Sequence, residues 1–142
     1  MISGDLEAEI IYENHIAELL DATKSYLYID VGGGSTEVTL FHKSAVAFQK
    51  SFNIGTVRIL TNKVEDATWE DLKQTLKEIG RTYPKLVAIG SGGNINKIFS
   101  MINSKNIKSI PIEVIREFLR VLEPMTVDER MHTYLLKRDR AD

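Results

Sequence analysis

The chain contains no cysteine, which excludes disulfides, zinc–thiolate centres and thiol nucleophiles together. Histidine is scarce, and His15, His42 and His132 are scattered without metal-ligand spacing. No apolar run approaches the roughly 20 residues that span a bilayer, and no signal-peptide pattern is visible. A basic excess is also missing: 18 Lys and Arg against 20 Asp and Glu leave a net charge of −2. That balance disfavours a protein that grips nucleic acid through its phosphates. Repeats, low-complexity tracts and a long linker are absent as well. These absences set the expectation of a soluble, cytoplasmic protein without a membrane or nucleic-acid partner. Its 142 residues, 43% of them hydrophobic, suit a single domain over residues 1–142 with a sizeable core.

What is present concentrates in the run Asp30-Val31-Gly32-Gly33-Gly34-Ser35-Thr36-Glu37. Tyr26 to Val31 reads as a strand because Tyr, Leu, Ile and Val suit a pleated, buried surface. Thr36 to Phe41 reads as a second strand, with Val38 and Leu40 alternating against Glu37 and Thr39. Between them lies a turn almost without side chains. Three consecutive glycines let backbone N–H groups converge on a bulky anion that any Cβ would obstruct. Asp30 and Glu37 flank the turn, where they could hold a divalent cation or orient a water. A hairpin turn also recruits glycine for φ > 0 alone, so both readings stand at this point. The run is not a P-loop, since no Gly-Lys-Ser/Thr follows, and it is not a dinucleotide fingerprint, since it leads into a strand.

Elsewhere, Asp5 to Leu20 reads as a helix, with Leu6, Ile10, Ile16 and Leu20 along it and Ser3 or Asp5 at its start. Ala45 to Phe52 is a third strand, with Val46, Phe48 and Phe52 expected on one face, and His42-Lys43-Ser44 turns into it. A helical stretch runs from Thr56 to Leu60. Thr68-Trp69-Glu70-Asp71 resembles a capping box that opens a helix to about Ile79, with Leu72, Leu76 and Ile79 as its buried stripe. Lys85 to Ile89 is a fourth strand, parallel to the first because a helical crossover precedes it. Gly90-Ser91-Gly92-Gly93 follows, then a helix from Asn94 to Met101. Pro111 starts another, with Ile115, Leu119 and Leu122 on its apolar face. Thr126-Val127-Asp128-Glu129 is a capping box that begins a last helix reaching about Leu136. The order β-β-β-α-β-α-α-α predicts an α/β fold. Its mixed sheet would be an antiparallel three-strand meander plus one parallel strand, flanked by helices. Both glycine-rich turns would then lie at the carboxyl ends of parallel neighbours, where open α/β sheets bind ligands.

Five motifs in order resemble the exopolyphosphatase and guanosine pentaphosphate phosphohydrolase (Ppx/GppA) family. They are Ile2-Ser3-Gly4 with Glu7-Ala8, Asp30 to Glu37, Asn53-Ile54-Gly55-Thr56-Val57-Arg58, Ile89 to Gly93, and Glu129-Arg130 with Arg140-Ala141-Asp142. The resemblance implies a ribonuclease-H-like lobe of the actin-like ATPase superfamily, and hydrolysis of a terminal phosphoanhydride with Mg²⁺. It matches Glu7 to the general base. Asp30 and Glu37 would place Mg²⁺ or the attacking water, giving Glu7, Glu37 and Asp30 as catalytic and Asp30 and Glu37 as metal-holding residues. Gly32, Gly33, Gly34, Ser35 and Thr36 would bind phosphate in the first turn, and Gly90, Ser91, Gly92 and Gly93 in the second. From sequence alone Glu7 reads as a solvated residue near a helix N-terminus, and only the resemblance raises the catalytic role. Arg58 fits a structural salt bridge as well as a substrate contact.

The chain departs from the family pattern where Glu7-Ala8-Glu9 replaces Glu-Ala-Arg, putting a negative charge where a cation usually stands. A counterpart of the family's first lobe, and of its final strand and helix, is also not found. The expectation is therefore most of the second lobe of a two-lobe phosphatase, weak or inactive by itself. An open sheet edge would allow pairing with a second copy as a homodimer. The substrate would be polyphosphate or guanosine pentaphosphate, which end in the same anhydride. Two alternatives are a non-catalytic phosphate- or nucleotide-binding module and an actin-like or sugar-kinase-like ATPase lobe.

Overall fold

The computed structural model describes residues 20–102 and 109–141. The helix expected over Asp5 to Leu20 lies outside these residues except for Leu20. Three strands, β1 (Ser25–Val31), β2 (Thr36–His42) and β3 (Ala45–Phe52), form the expected antiparallel meander. The fourth, β4 (Leu86–Ser91), pairs parallel with β1, so the sheet order is β3-β2-β1-β4. Helices α1 (Thr56–Leu60) and α2 (Asp66–Thr82) precede β4. They are followed by α3 (Gly93–Ile102), α4 (Ile112–Leu122), α5 (Val127–Tyr134) and α6 (Arg138–Ala141). Among the described residues no helix is long and apolar enough to cross a membrane.

Packing divides the two sheet faces. On one, Leu27, Val38, Leu40 and Phe52 are buried with Ile54 and Ile79, and Trp69, Leu72 and Leu76 of α2 pack against them. The steps 69, 72, 76 and 79 keep one helical stripe on the sheet. Val38 and Leu40 are 0% and 1% exposed, and burying one such side chain stabilises by about 1.5–3 kcal/mol. On the other face Tyr28 and Phe41 are buried beside Leu20, Tyr26 and Ile89.

Two expectations are corrected. Val46 does not share a face with Phe48 and Phe52. The register shifts between Leu40 and Phe41, so that Leu40 pairs with Phe48 but Phe41 with Val46. Ala47 is the extra residue of this bulge, and it turns Val46 to the opposite face, where Val46 is 43% exposed. Nor does Thr68 cap α2. That helix starts at Asp66 after Glu65, whose side chain makes no cap bond. Asp71 Oδ1 instead accepts from Lys50 Nζ of β3 at 2.7 Å. The capping box at Thr126 does form: Thr126 N–H donates to Glu129 Oε2 at 2.7 Å, and Glu129 N–H to Thr126 Oγ1 at 3.3 Å. Its helix ends at Tyr134, two residues before Leu136, with Leu135 left-handed at φ 51° as the C-cap.

Candidate active site

The strand register assembles one polar row across the whole sheet. Asp30 pairs with Glu37 on β2 and with Ser91 on β4, and Glu37 pairs with Ser51 on β3. Paired residues project to the same face, so Ser91, Asp30, Glu37 and Ser51 line one side of the sheet at the carboxyl end of β1. The next rows on that face are Ile89, Tyr28, Thr39 and Gln49, then Val87, Tyr26, Phe41 and Val46. The face therefore grades from ionisable to apolar over three rows. Glu37 Oε1 accepts two hydroxyls, from Ser35 Oγ at 2.8 Å and from Ser51 Oγ at 2.9 Å.

The glycine turn owes its shape to the segment after β3. Gly32 N–H donates to the Ser35 carbonyl at 2.9 Å, closing the loop. The three glycine carbonyls are all taken by α1. Gly32 O accepts from Thr56 N–H at 3.0 Å and Gly33 O from Val57 N–H at 2.9 Å. Gly34 O accepts from Arg58 Nε at 2.6 Å. No described peptide bond is cis, and in a planar trans peptide the C=O of one residue opposes the N–H of the next. Pointing three carbonyls at α1 therefore turns the N–H groups of Gly33, Gly34 and Ser35 away from it. Three successive amides so turned form a nest for an anion. Gly55 permits the docking, because a Cβ there would strike the Gly33 carbonyl. Thr36 Oγ1 donates to the Ile54 carbonyl at 2.7 Å and is buried, so this hydroxyl braces the turn.

The glycines of this turn are not there for left-handed backbone: among the described glycines only Gly92 has positive φ, at 104°. At Gly34 a Cβ would meet nothing within 4 Å. Among the described residues neither left-handed backbone nor internal packing requires glycine at that exposed position.

The second turn lies beside the first. A Cβ on Gly92 would collide with the Val31 carbonyl, so the end of β4 presses directly on the residue before Gly32. Gly92 O accepts from Asn96 N–H at 3.2 Å, and α3 starts at Gly93. Its leading N–H groups have no intrahelical acceptor and carry the positive end of the helix dipole. Gly90 is glycine because a Cβ would press on Ile95 Cγ1 at 2.8 Å.

Asp30, Glu37, Gly32 to Thr36 and Gly90 to Gly93 are thus brought to one end of the sheet. Glu7 lies outside the described residues. Sequence reasoning missed Ser51, which belongs to no motif; its only signal was its place opposite Glu37 once the register was known. Among the described residues Arg58 bonds the turn itself, its Nε donating to the Gly34 carbonyl. Among the described residues no three His, Asp or Glu side chains cluster as a metal cage. The donor set fits a cation held jointly with a ligand. Glu37 keeps Oε2 free of the two serine hydroxyls and Asp30 stands beside it, while Mg²⁺ takes six oxygens, several from phosphate and water.

The chain matches the Ppx/GppA phosphatase family over residues 1–142. It is 30% identical over 122 residues to a guanosine-5′-triphosphate,3′-diphosphate pyrophosphatase from Pseudoalteromonas translucida, covering 78% of this chain and 24% of that protein. Its fold superposes with a TM-score of 0.70 at 21% identity on an exopolyphosphatase from Cytophaga hutchinsonii, covering 99% of this chain and 52% of the other. The Aquifex aeolicus Ppx/GppA phosphatase superposes with a TM-score of 0.64 at 19% identity, covering 91% and 48%. The chain thus spans a quarter of that curated relative and about half of those solved structures.

Proposed function

The chain belongs to the Ppx/GppA phosphatase family, and from that premise we propose that it is the phosphate-holding second lobe of a two-lobe phosphohydrolase. Its reaction is hydrolysis of the terminal anhydride of polyphosphate or guanosine pentaphosphate. The observation that carries this reading is Gly34, a glycine its own fold does not need, set in a turn whose three amides face outward. Phosphoryl transfer asks a protein for positioning and charge neutralisation more than for covalent chemistry. The amides of Gly33, Gly34 and Ser35 bind one phosphate, and the start of α3 after Gly92 binds its neighbour. Asp30 and Glu37 would hold Mg²⁺, which when bound would offset charge on the phosphate oxygens. Glu7 is the base: it takes a proton from water as the new O–P bond forms, and the P–O bond to the remaining chain breaks.

A groove of about 510 Å³ beside α3 is lined by Asn94, Lys97, Ile98 and Met101 together with residues of α4 and α5. The test is phosphate release with Mg²⁺ from polyphosphate, guanosine pentaphosphate and ATP. It compares this chain, the full-length protein and full-length Glu7→Gln. Release by the full-length protein, abolished by Glu7→Gln, is expected. Binding without release would replace the hydrolase with a binding module, a reading that Glu9 in the usual arginine position favours. Preference for ATP would make it an ATPase lobe.

A further inference from the structure

We infer that Ser51 is a positioning residue for Glu37, fixing the plane of its carboxylate so that one oxygen is held toward the phosphate-bound cation. The inference rests on the phosphohydrolase reading above. Glu37 sits between two neighbours in the polar row, Asp30 on β1 and Ser51 on β3. Its Oε1 takes the Ser51 hydroxyl at 2.9 Å and the Ser35 hydroxyl at 2.8 Å. The terminal torsion of a glutamate is broad and nearly two-fold, so a carboxylate without such donors swings freely. Two donors on one oxygen hold that oxygen on the serine side and keep the other turned from it.

The two serines are not equivalent. Ser35 belongs to the glycine turn and moves with it. Ser51 belongs to a paired strand and adjoins Phe52, which is 2% exposed and part of the core. Ser51 therefore ties Glu37 to the rigid sheet, while Ser35 ties it to the anion-binding turn. Each hydroxyl has one proton to donate, and both are committed to Glu37. Neither side chain donates to phosphate while those bonds last, which leaves that task to the backbone amides. Orienting partners of this kind typically change metal affinity by 10- to 100-fold when removed.

The experiment measures Mn²⁺ affinity by electron paramagnetic resonance in the presence of tripolyphosphate. It uses the full-length protein as wild type, Ser51→Ala and Ser51→Thr, each with a thermal melt. The expected result is a loss of about 10-fold in Ser51→Ala, recovery in Ser51→Thr, and unchanged melting for both. Wild-type affinity in Ser51→Ala would overturn the inference and leave the phosphohydrolase reading standing. A loss of affinity that tracks a loss of thermal stability in both variants would also overturn it, making Ser51 a structural residue only. No Mn²⁺ binding by the wild type would fail the metal-assisted reading itself.

Discussion

Arg58 Nε donates to the carbonyl of Gly34 at 2.6 Å, placing a cation behind the glycine turn proposed to hold phosphate. This bond fixes the Gly34–Ser35 peptide, so the guanidinium sets the direction of the Ser35 N–H without needing to touch phosphate. The expected outcome for Arg58→Leu is weaker binding of tripolyphosphate by about 10-fold, the scale of one charge-assisted hydrogen bond. Arg58→Lys should restore only part of it, since an ammonium lacks the fixed guanidinium fork. Calorimetric titration checks this, and equal affinity in all three proteins would remove Arg58 from the site.

Substitutions at Gly34 and Gly92 test the proposed phosphate binding apart from folding. Gly34→Ala adds a methyl into open space at an ordinary φ, so its thermal midpoint should match wild type while phosphate affinity falls. Gly92→Ala faces a left-handed φ of 104° and the Val31 carbonyl together. Strain of that kind costs about 1–3 kcal/mol before the collision is counted, and the midpoint should drop by several degrees. Paired thermal melts and tripolyphosphate titrations distinguish the two. A destabilised Gly34→Ala would mean that its glycine serves the fold after all.

The strands and their order were legible because alternation and turn residues act locally: Val38 and Leu40 against Glu37 and Thr39 announce β2 by themselves. The two glycine turns could be paired from sequence because a crossover helix obliges β4 to run parallel to β1. What could not be read depends on register and on partners distant in the chain. The Ala47 bulge is invisible in an unbroken alternation, and it alone moves Val46 to the other face. Asp71 lost its expected cap role to Lys50, a residue 21 positions earlier. Ser51 gained a role only because β3 sets it opposite Glu37.

The bulge has a thermodynamic consequence. Leu40→Ala empties a fully buried site against α2 and should cost about 2–5 kcal/mol. Val46→Ala, on the exposed far side of the bulge, should stay within about 0.5 kcal/mol. Had β3 alternated without interruption, both positions would share the core and both truncations would be severe. Urea unfolding at equilibrium measures the difference, and a large effect at Val46 would contradict the register.

The capping box at α5 predicts a pH dependence of known sign. The Thr126 backbone N–H, then its hydroxyl, hold the Glu129 carboxyl below the ordinary glutamate range. A carboxylate lowered on folding contributes stability that is present above its unfolded value of about 4.3 and is lost as pH falls through the lower folded value. The gap in thermal midpoint between wild type and Glu129→Ala should therefore be widest near neutrality and close progressively below about pH 4. Added salt should not abolish a gap that comes from short, directional bonds, because salt weakens long-range charge attraction more than hydrogen bonding at contact. A gap that persists unchanged to pH 2 would mean that Glu129 acts through contacts that survive protonation and not through its charged bond to Thr126, since helix propensity alone would favour alanine.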